Sequence, residues 1–198
     1  MDFTRDILLE NDRALLRPLL ATDIDLLQEP AADPALWLYT LTRADSRPAL
    51  EAYVAAALQG REQASRYPFV IIDKQMGRVA GSTSYYNVVP EEQRLSIGYT
   101  WIGSDFQRTG LNRAAKHLLL RYAFEELSYE RVELETDARN HKSQNAMRQM
   151  GASQEGTLRS HRPTQGGIRR DTIIFSIIRP EWAALRQTIF GAFDTNRG

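Results

Sequence analysis

The stretch Phe106-Gln107-Arg108-Thr109-Gly110-Leu111-Asn112 joins two runs of different character. Before it lies an apolar, strand-like segment, Leu95-Ser96-Ile97-Gly98-Tyr99-Thr100-Trp101-Ile102, and after it a helical one from Ala114 to Phe124. A strand, a short polar turn with a glycine and a helix start together make an anion site. The first amides of a helix have no partner within it, and the dipole concentrates partial positive charge there. Arg108 and Arg113 add full charges, and a pyrophosphate is the natural guest. Taken alone, the same pattern also fits an ordinary strand-to-helix turn.

Three other sets of residues could do chemistry. In Arg131-Val132-Glu133-Leu134-Glu135-Thr136-Asp137 the apolar and polar residues alternate, so Glu133, Glu135 and Asp137 share one face of a strand. If they converge on a cleft, they would attract a cationic acceptor. Asn140 and Ser143, three apart, share one face at a helix start, where Asn140 can also serve as a simple cap. His161 lies in the last hairpin. No metal-ligand spacing connects it with His117 or His141, so no metal site is expected.

Composition narrows the setting. With 25 basic and 25 acidic residues the chain has no formal net charge, which argues against nucleic acid as a partner. The absence of cysteine excludes disulfides, thiolate zinc sites and a cysteine nucleophile, and fits a reducing cytoplasm. No apolar run approaches the roughly 18 residues of a membrane span, and the start of the chain lacks the apolar core of a signal peptide. A soluble, cytoplasmic protein is expected, with a homodimer left open.

The elements that must position these groups follow from periodicity. Strands are expected at residues 14–18, 67–73, 78–89, 93–103, 131–136, 155–162 and 168–178, the last two forming a hairpin around Gln165-Gly166-Gly167. Helices are expected from Thr22 or Asp23 through Leu27, broken by Pro30 and Pro34, and at 46–60, 112–127 and 140–150, the last ended by Gly151; from Pro180 one amphipathic helical turn or more is expected, then a polar end. The expected fold is therefore α+β. It is a mixed, largely antiparallel sheet of six to seven strands flanked by about four helices, with a central strand–helix–strand crossover. One domain spans residues 1–198, with a core at 13–182 and a C-terminal tail at 183–198.

At this point a family resemblance emerges. Gln107-Arg108-Thr109-Gly110-Leu111-Asn112 resembles the pyrophosphate loop of the GNAT acyl-CoA N-acyltransferase superfamily, and Asn140 to Ala146, ending at Gly151-Ala152, is similar to its second cofactor motif. The chain's end, with Glu155-Gly156-Thr157-Leu158-Arg159, Arg170-Asp171 and Glu181-Trp182, looks like the RimJ/RimL branch. The family's last loop position is usually Gly or Ala; here it is Asn112, which could cap the helix instead.

The resemblance implies a GNAT-like fold and an acetyl-CoA-dependent N-acetyltransferase acting on a primary amine by direct attack in a ternary complex. The amine could belong to a protein N-terminus or to a small molecule. A non-catalytic CoA-binding or regulatory module on the same fold is the alternative. The resemblance also implies site roles. The loop Gln107, Arg108, Thr109, Gly110, Leu111 and Asn112 would hold the pyrophosphate. Backbone N–H groups near Trp101 and Ile102 would polarise the thioester, Asn140 would bind the pantetheine, and Ser143 would protonate the departing thiolate. For the general base Glu133 comes first and His161 second. Some members of the branch use a carboxylate in the hairpin region, but the residue beside His161 is Arg162.

Overall fold

The computed structural model describes residues 1–164 and 167–193. The strands are β1 (Leu9–Glu10), β2 (Ala14–Pro18), β3 (Arg66–Asp73), β4 (Arg78–Val89), β5 (Arg94–Ile102), β6 (Arg131–Asp137), β7 (Ser153–Pro163) and β8 (Arg169–Ile178). The helices are α1 (Ile24–Ala31), α2 (Arg47–Glu62), α3 (Leu111–Arg121), α4 (His141–Gln149) and α5 (Arg179–Thr188). All eight strands form one sheet in the order β1-β2-β3-β4-β5-β6-β8-β7. Among the described residues only β5 and β6 pair in parallel, and α3 makes the crossover between them.

Two apolar layers sandwich this sheet. One face of β2 to β8, with Leu16, Phe69, Tyr85, Leu95, Val132, Leu134 and Phe175, packs on the Ala114, Leu118 and Leu119 stripe of α3 and on Trp182 of α5. The other face, with Val70 and Trp101, packs on Leu27 of α1, on Leu50, Val54 and Ala57 of α2, and on Trp37 between them. Alternation along each strand delivers one set of side chains to each layer.

The sheet opens in its middle. Parallel pairing of β5 with β6 covers only Arg94↔Arg131, Leu95↔Val132 and Ser96↔Glu133. Beyond that rung β5 follows β4, and β6 follows β8 as far as the Asp137↔Thr172 pair. A bulge drives the separation: between Ser84↔Gly98 and Ser82↔Trp101 the single residue Thr83 of β4 faces both Tyr99 and Thr100 of β5. Tyr99 takes φ +52, and the extra residue bends its strand away from β6. The result is a wedge-shaped slot with its apex at Ser96 and Glu133.

Several expectations change in detail. The sheet has eight strands rather than six or seven, because the two-residue β1 pairs with β2; a segment so short carries no readable alternation. Among the described residues there are five α-helices, and Pro30 sits in the last turn of α1 instead of stopping it beforehand. Helix α2 continues to Glu62, two residues past Gly60. Helix α3 starts at Leu111 and ends at Arg121, where a π-turn, Tyr122–Glu126, takes over. The segment expected as a tail is packed: α5 runs to Thr188 and Phe190 is fully buried among His117, Trp182 and the core. Of the expected hairpin turn, Gln165 and Gly166 lie outside the described residues, as do tail residues 194–198.

Candidate active site

The loop after β5 is shaped by alternating backbone twist. Arg108 has φ +62 and Gly110 has φ +87, with Thr109 between them. Glycine carries the left-handed conformation without cost, and a Cβ built on Gly110 would meet no atom within 4 Å. The Thr109 hydroxyl donates to the Phe106 carbonyl (2.7 Å), which stiffens the turn from within. Among the described residues, the backbone N–H groups of Arg108, Thr109, Gly110, Asn112 and Arg113 donate to no carbonyl or side chain. Five free amides, an open space over Gly110 and a helix N-terminus of three turns converge here. Gly110, not Asn112, is the N-cap of α3; Asn112 is the second helical residue, and its buried Oδ1 has no partner among the described residues. The asparagine therefore does not cap the helix, since its backbone is already helical.

The slot edge of β5 comes next. Gly103 donates its N–H to Ala80 of β4 (2.9 Å), so by alternation the Ile102 N–H turns toward the slot and the Trp101 N–H toward β4. The Trp101 side chain packs against Trp37 at 5.3 Å and Tyr53 at 6.1 Å, which anchors the strand from the α2 side. Gln107 donates from Nε2 to the Ile102 carbonyl (2.9 Å) and accepts from Lys142 of α4. That one side chain ties the strand end to the next helix. Leu111 is fully buried in the core beneath the loop.

Helix α4 starts at the far side of the slot. Asn140 is its N-cap, and its Oδ1 accepts from the Ser143 N–H at 3.0 Å. The capping bond uses the carbonyl half of the amide and leaves the Nδ2 donors available. The Ser143 side chain is half-buried one turn into the helix and makes no hydrogen bond among the described residues.

The carboxylates of β6 do share a face, but they form no open acidic cleft. Glu133, at the apex, accepts from Arg131 (2.9 Å), which also grips Glu155. The Arg131 hydrogen bonds, with one from the Ser176 hydroxyl, hold the Glu155 carboxyl down to about 2. Asp137 is fully buried and bound by Arg139 through its backbone and side chain, which lowers its pKa. Glu135 accepts from both Arg170 (3.1 Å) and Arg162 (3.4 Å). The expectation of an acidic attractant is narrowed accordingly: each β6 carboxylate is paired with an arginine, and an excess of negative charge is left at the apex, where Arg131 serves both Glu133 and Glu155. His161 lies on a three-residue bulge of β7, and its buried Nδ1 has no partner among the described residues. Asp171 anchors that bulge by accepting from the Ser160 N–H (2.7 Å).

Several residues at the site were not singled out by the sequence. Tyr86 projects across Gly98 of β5, so close that a Cβ there would lie 2.6 Å from its ring. Burial, with Glu135 nearby, pushes the Tyr86 hydroxyl upward in pKa. Arg66 stacks on Tyr99 at 3.8 Å and donates to the Tyr53 hydroxyl. Lys116, on the α3 face that meets the bulge, is buried and donates to Thr100 Oγ1 (2.7 Å); desolvation lowers its amine to about 7. Its one signal in the sequence is a charge spaced four residues from Asn112 and Leu120 on a helix face that is otherwise buried. Among the described residues no group of three or more metal-binding side chains could hold an ion. No helix there is long and apolar enough to cross a membrane.

A mixed sheet that opens beside a helix N-terminus rich in free amides is the architecture of an N-acetyltransferase. The family model described as "Acetyltransferase (GNAT) domain" matches residues 13–153, and the chain belongs to that family of N-acetyltransferases. The chain is 32 % identical to "Putative ribosomal N-acetyltransferase YdaF" of Bacillus subtilis (strain 168) over 106 residues, or 54 % of the chain and 57 % of that protein. It is 27 % identical to "Uncharacterized N-acetyltransferase p20" of Bacillus licheniformis, over 88 % of the chain and 98 % of that protein. The crystal structure of a GCN5-related N-acetyltransferase from Brucella melitensis superposes with a TM-score of 0.87 at 26 % identity, covering 96 % of this chain and 87 % of that one. The RimJ/RimL-like character of the chain's end agrees with the ribosomal acetyltransferase named among these relatives.

Proposed function

We propose that the protein is an acetyl-CoA-dependent N-acetyltransferase that acetylates a primary amine within a ternary complex, in the cytoplasm. The observation that carries this reading is the set of free amides around Gly110, beside the unpaired edge of β5. A pyrophosphate fits it, because five backbone N–H groups without partners among the described residues surround open space over Gly110 at a helix N-terminus. Acetyl-CoA supplies an acyl carbon activated as a thioester.

The chain's own groups then divide the work. Gln107, Arg108, Thr109, Gly110, Leu111 and Asn112 hold the pyrophosphate, with Leu111 as the buried foot of the loop. Ile102 offers its slot-facing N–H to the acyl carbonyl, and Trp101 fixes the strand that carries it. Asn140 donates from Nδ2 to a pantetheine amide. Ser143 gives its hydroxyl proton, or a hydrogen bond, to the departing sulfur. Glu133, on the acceptor face at the apex, removes a proton from the incoming ammonium through water. His161 is the second reading for this role, favoured by its unpartnered Nδ1. An α-amine, with a reference pKa of about 7.7–8.0, needs less help than a lysine near 10.4.

The test is thiol release, with mass detection of acetylated product, when protein and acetyl-CoA meet a panel of peptide N-termini and small amines. Acetylation of at least one amine class is expected. Tight CoA binding with no thiol release from any amine would instead indicate a binding or regulatory module.

A further inference from the structure

The acceptor side of the slot has a charge gradient. At its closed end Arg131 faces two carboxylates, Glu133 and Glu155. At its open end Glu135 faces two arginines, Arg162 and Arg170. Asp137 and Arg139, farther along, neutralise each other. One end is thus short of positive charge and the other has a surplus, in the same stretch of β6.

The surplus falls on Arg162. Arg170 is buried and fully employed: it donates to Glu135, to the Thr172 hydroxyl and to the Tyr39 carbonyl. Arg162 makes one side-chain hydrogen bond among the described residues, at 3.4 Å, and to the same Oε1 that Arg170 already holds at 3.1 Å. Its side chain is 38 % exposed, and beyond the one bond to Glu135 its N–H donors make no hydrogen bond among the described residues. A guanidinium with free donors suits an oxyanion taken in bidentate fashion, and on an acceptor amine the common one is a planar carboxylate.

Resting on the acetyltransfer reading of this slot, we propose that the acceptor is a primary amine that also carries a carboxylate, with the carboxylate bound by Arg162 at the slot mouth and the ammonium drawn toward the Glu133–Glu155 end. The shared chemistry is met by a free amino acid and by a peptide with an acidic side chain next to its N-terminal residue. Both place a carboxylate within a few bonds of the amine. A polyamine, cationic at both ends, would put a positive charge against Arg162.

Matched pairs test this: L-serine against L-serinamide, and a Ser-Glu peptide against its Ser-Gln counterpart, the two pairs separating the two sources. Acetylation rates are read with parent, Arg162→Met and Arg162→Lys proteins. Equilibrium binding of each amine to CoA-saturated protein is read by calorimetry. We expect at least one acid to exceed its amide tenfold or more in kcat/KM and in affinity. Arg162→Met should bring that ratio close to one while CoA affinity stays within threefold, and Arg162→Lys should restore part of the preference. Equal handling of acid and amide in both pairs, or a preference that survives Arg162→Met, overturns the proposal. If no amine is acetylated, the acetyltransfer reading fails, and the calorimetric comparison still decides whether Arg162 binds a carboxylate.

Discussion

The two sides of the slot are built from different materials. On the cofactor side, the working groups are backbone amides presented by two left-handed residues, Arg108 and Gly110, at the start of α3. On the acceptor side they are side-chain charges on β6, β7 and β8, each held by at least one opposite charge. In the proposed reading the backbone cradle recognises a group common to every CoA thioester and is insensitive to most side-chain changes. A charge ladder can be retuned by a single arginine, so specificity for the acceptor belongs there.

The sharpest way to break this contrast is to insert a side chain into the cradle. Gly110→Val places a β-branched residue at φ +87 and fills the open space above the loop. CoA affinity should fall by about 100-fold or more, roughly 3 kcal/mol, as read by calorimetry. Unchanged affinity would overturn the loop assignment. On the other side, Glu133→Gln should lower turnover about 100-fold, in line with loss of a general base, while CoA affinity moves less than threefold. Equal turnover in parent and mutant across pH 6–9 would remove Glu133 from the mechanism, and the same profile with His161→Gln then decides for or against the imidazole.

The same contrast explains what could be read from the sequence. Gly110, Arg108 and the strand-to-helix change of period are local in the chain, so the loop and the seven longer strands were legible. The helix start at Leu111 was missed by one residue because Asn112 has a capping side chain, whereas the glycine supplies the cap by conformation alone. The fates of Glu133, Glu135 and Asp137 were not legible. Their common face follows from alternation, but their partners depend on strand register: Arg162 reaches Glu135 only because β7 pairs with β8 at Arg162↔Arg170 and β8 lies beside β6. The bulge at Tyr99, which opens the slot, had Gly98 beside it as its one local sign, but a lone glycine in a strand does not say which way the strand bends. Lys116 looked like an ordinary helical charge because its burial comes from the strand that the helix covers.

Lys116 joins the two halves, since it lies on the cofactor helix and donates to the bulged strand. Its amine is depressed to about 7 in the folded protein by desolvation, against an ordinary value of 10.5. Between those values the unfolded chain binds more protons than the folded one, so stability rises with pH across that window. The cost of burying the charge is full below pH 7 and vanishes above 10.5. Lys116→Met should therefore stabilise the protein, on the order of 2 kcal/mol at pH 6.5, with the gain shrinking toward pH 10. Thr100 keeps its bond to Thr83 (2.8 Å) in the variant. Denaturation midpoints at the two pH values check this, and a gain that does not shrink with pH would show that the amine is not the source.

The smallest expected effect separates structure from function at a single side chain. Asn140 caps α4 through Oδ1, and the cofactor role proposed for it uses Nδ2. Asn140→Asp retains the capping oxygen and loses the donor, whereas Asn140→Ser retains a shorter cap with a hydroxyl that can also donate. The aspartate should hold stability within about 0.5 kcal/mol, because Asn and Asp rank equally as caps. Its charge, facing the slot, should weaken CoA binding several-fold. Asn140→Ala should lose both, about 1 kcal/mol of stability together with CoA affinity. If the aspartate binds CoA as well as the parent does, Asn140 is only a cap, and the backbone cradle around Gly110 holds the cofactor without side-chain help from α4.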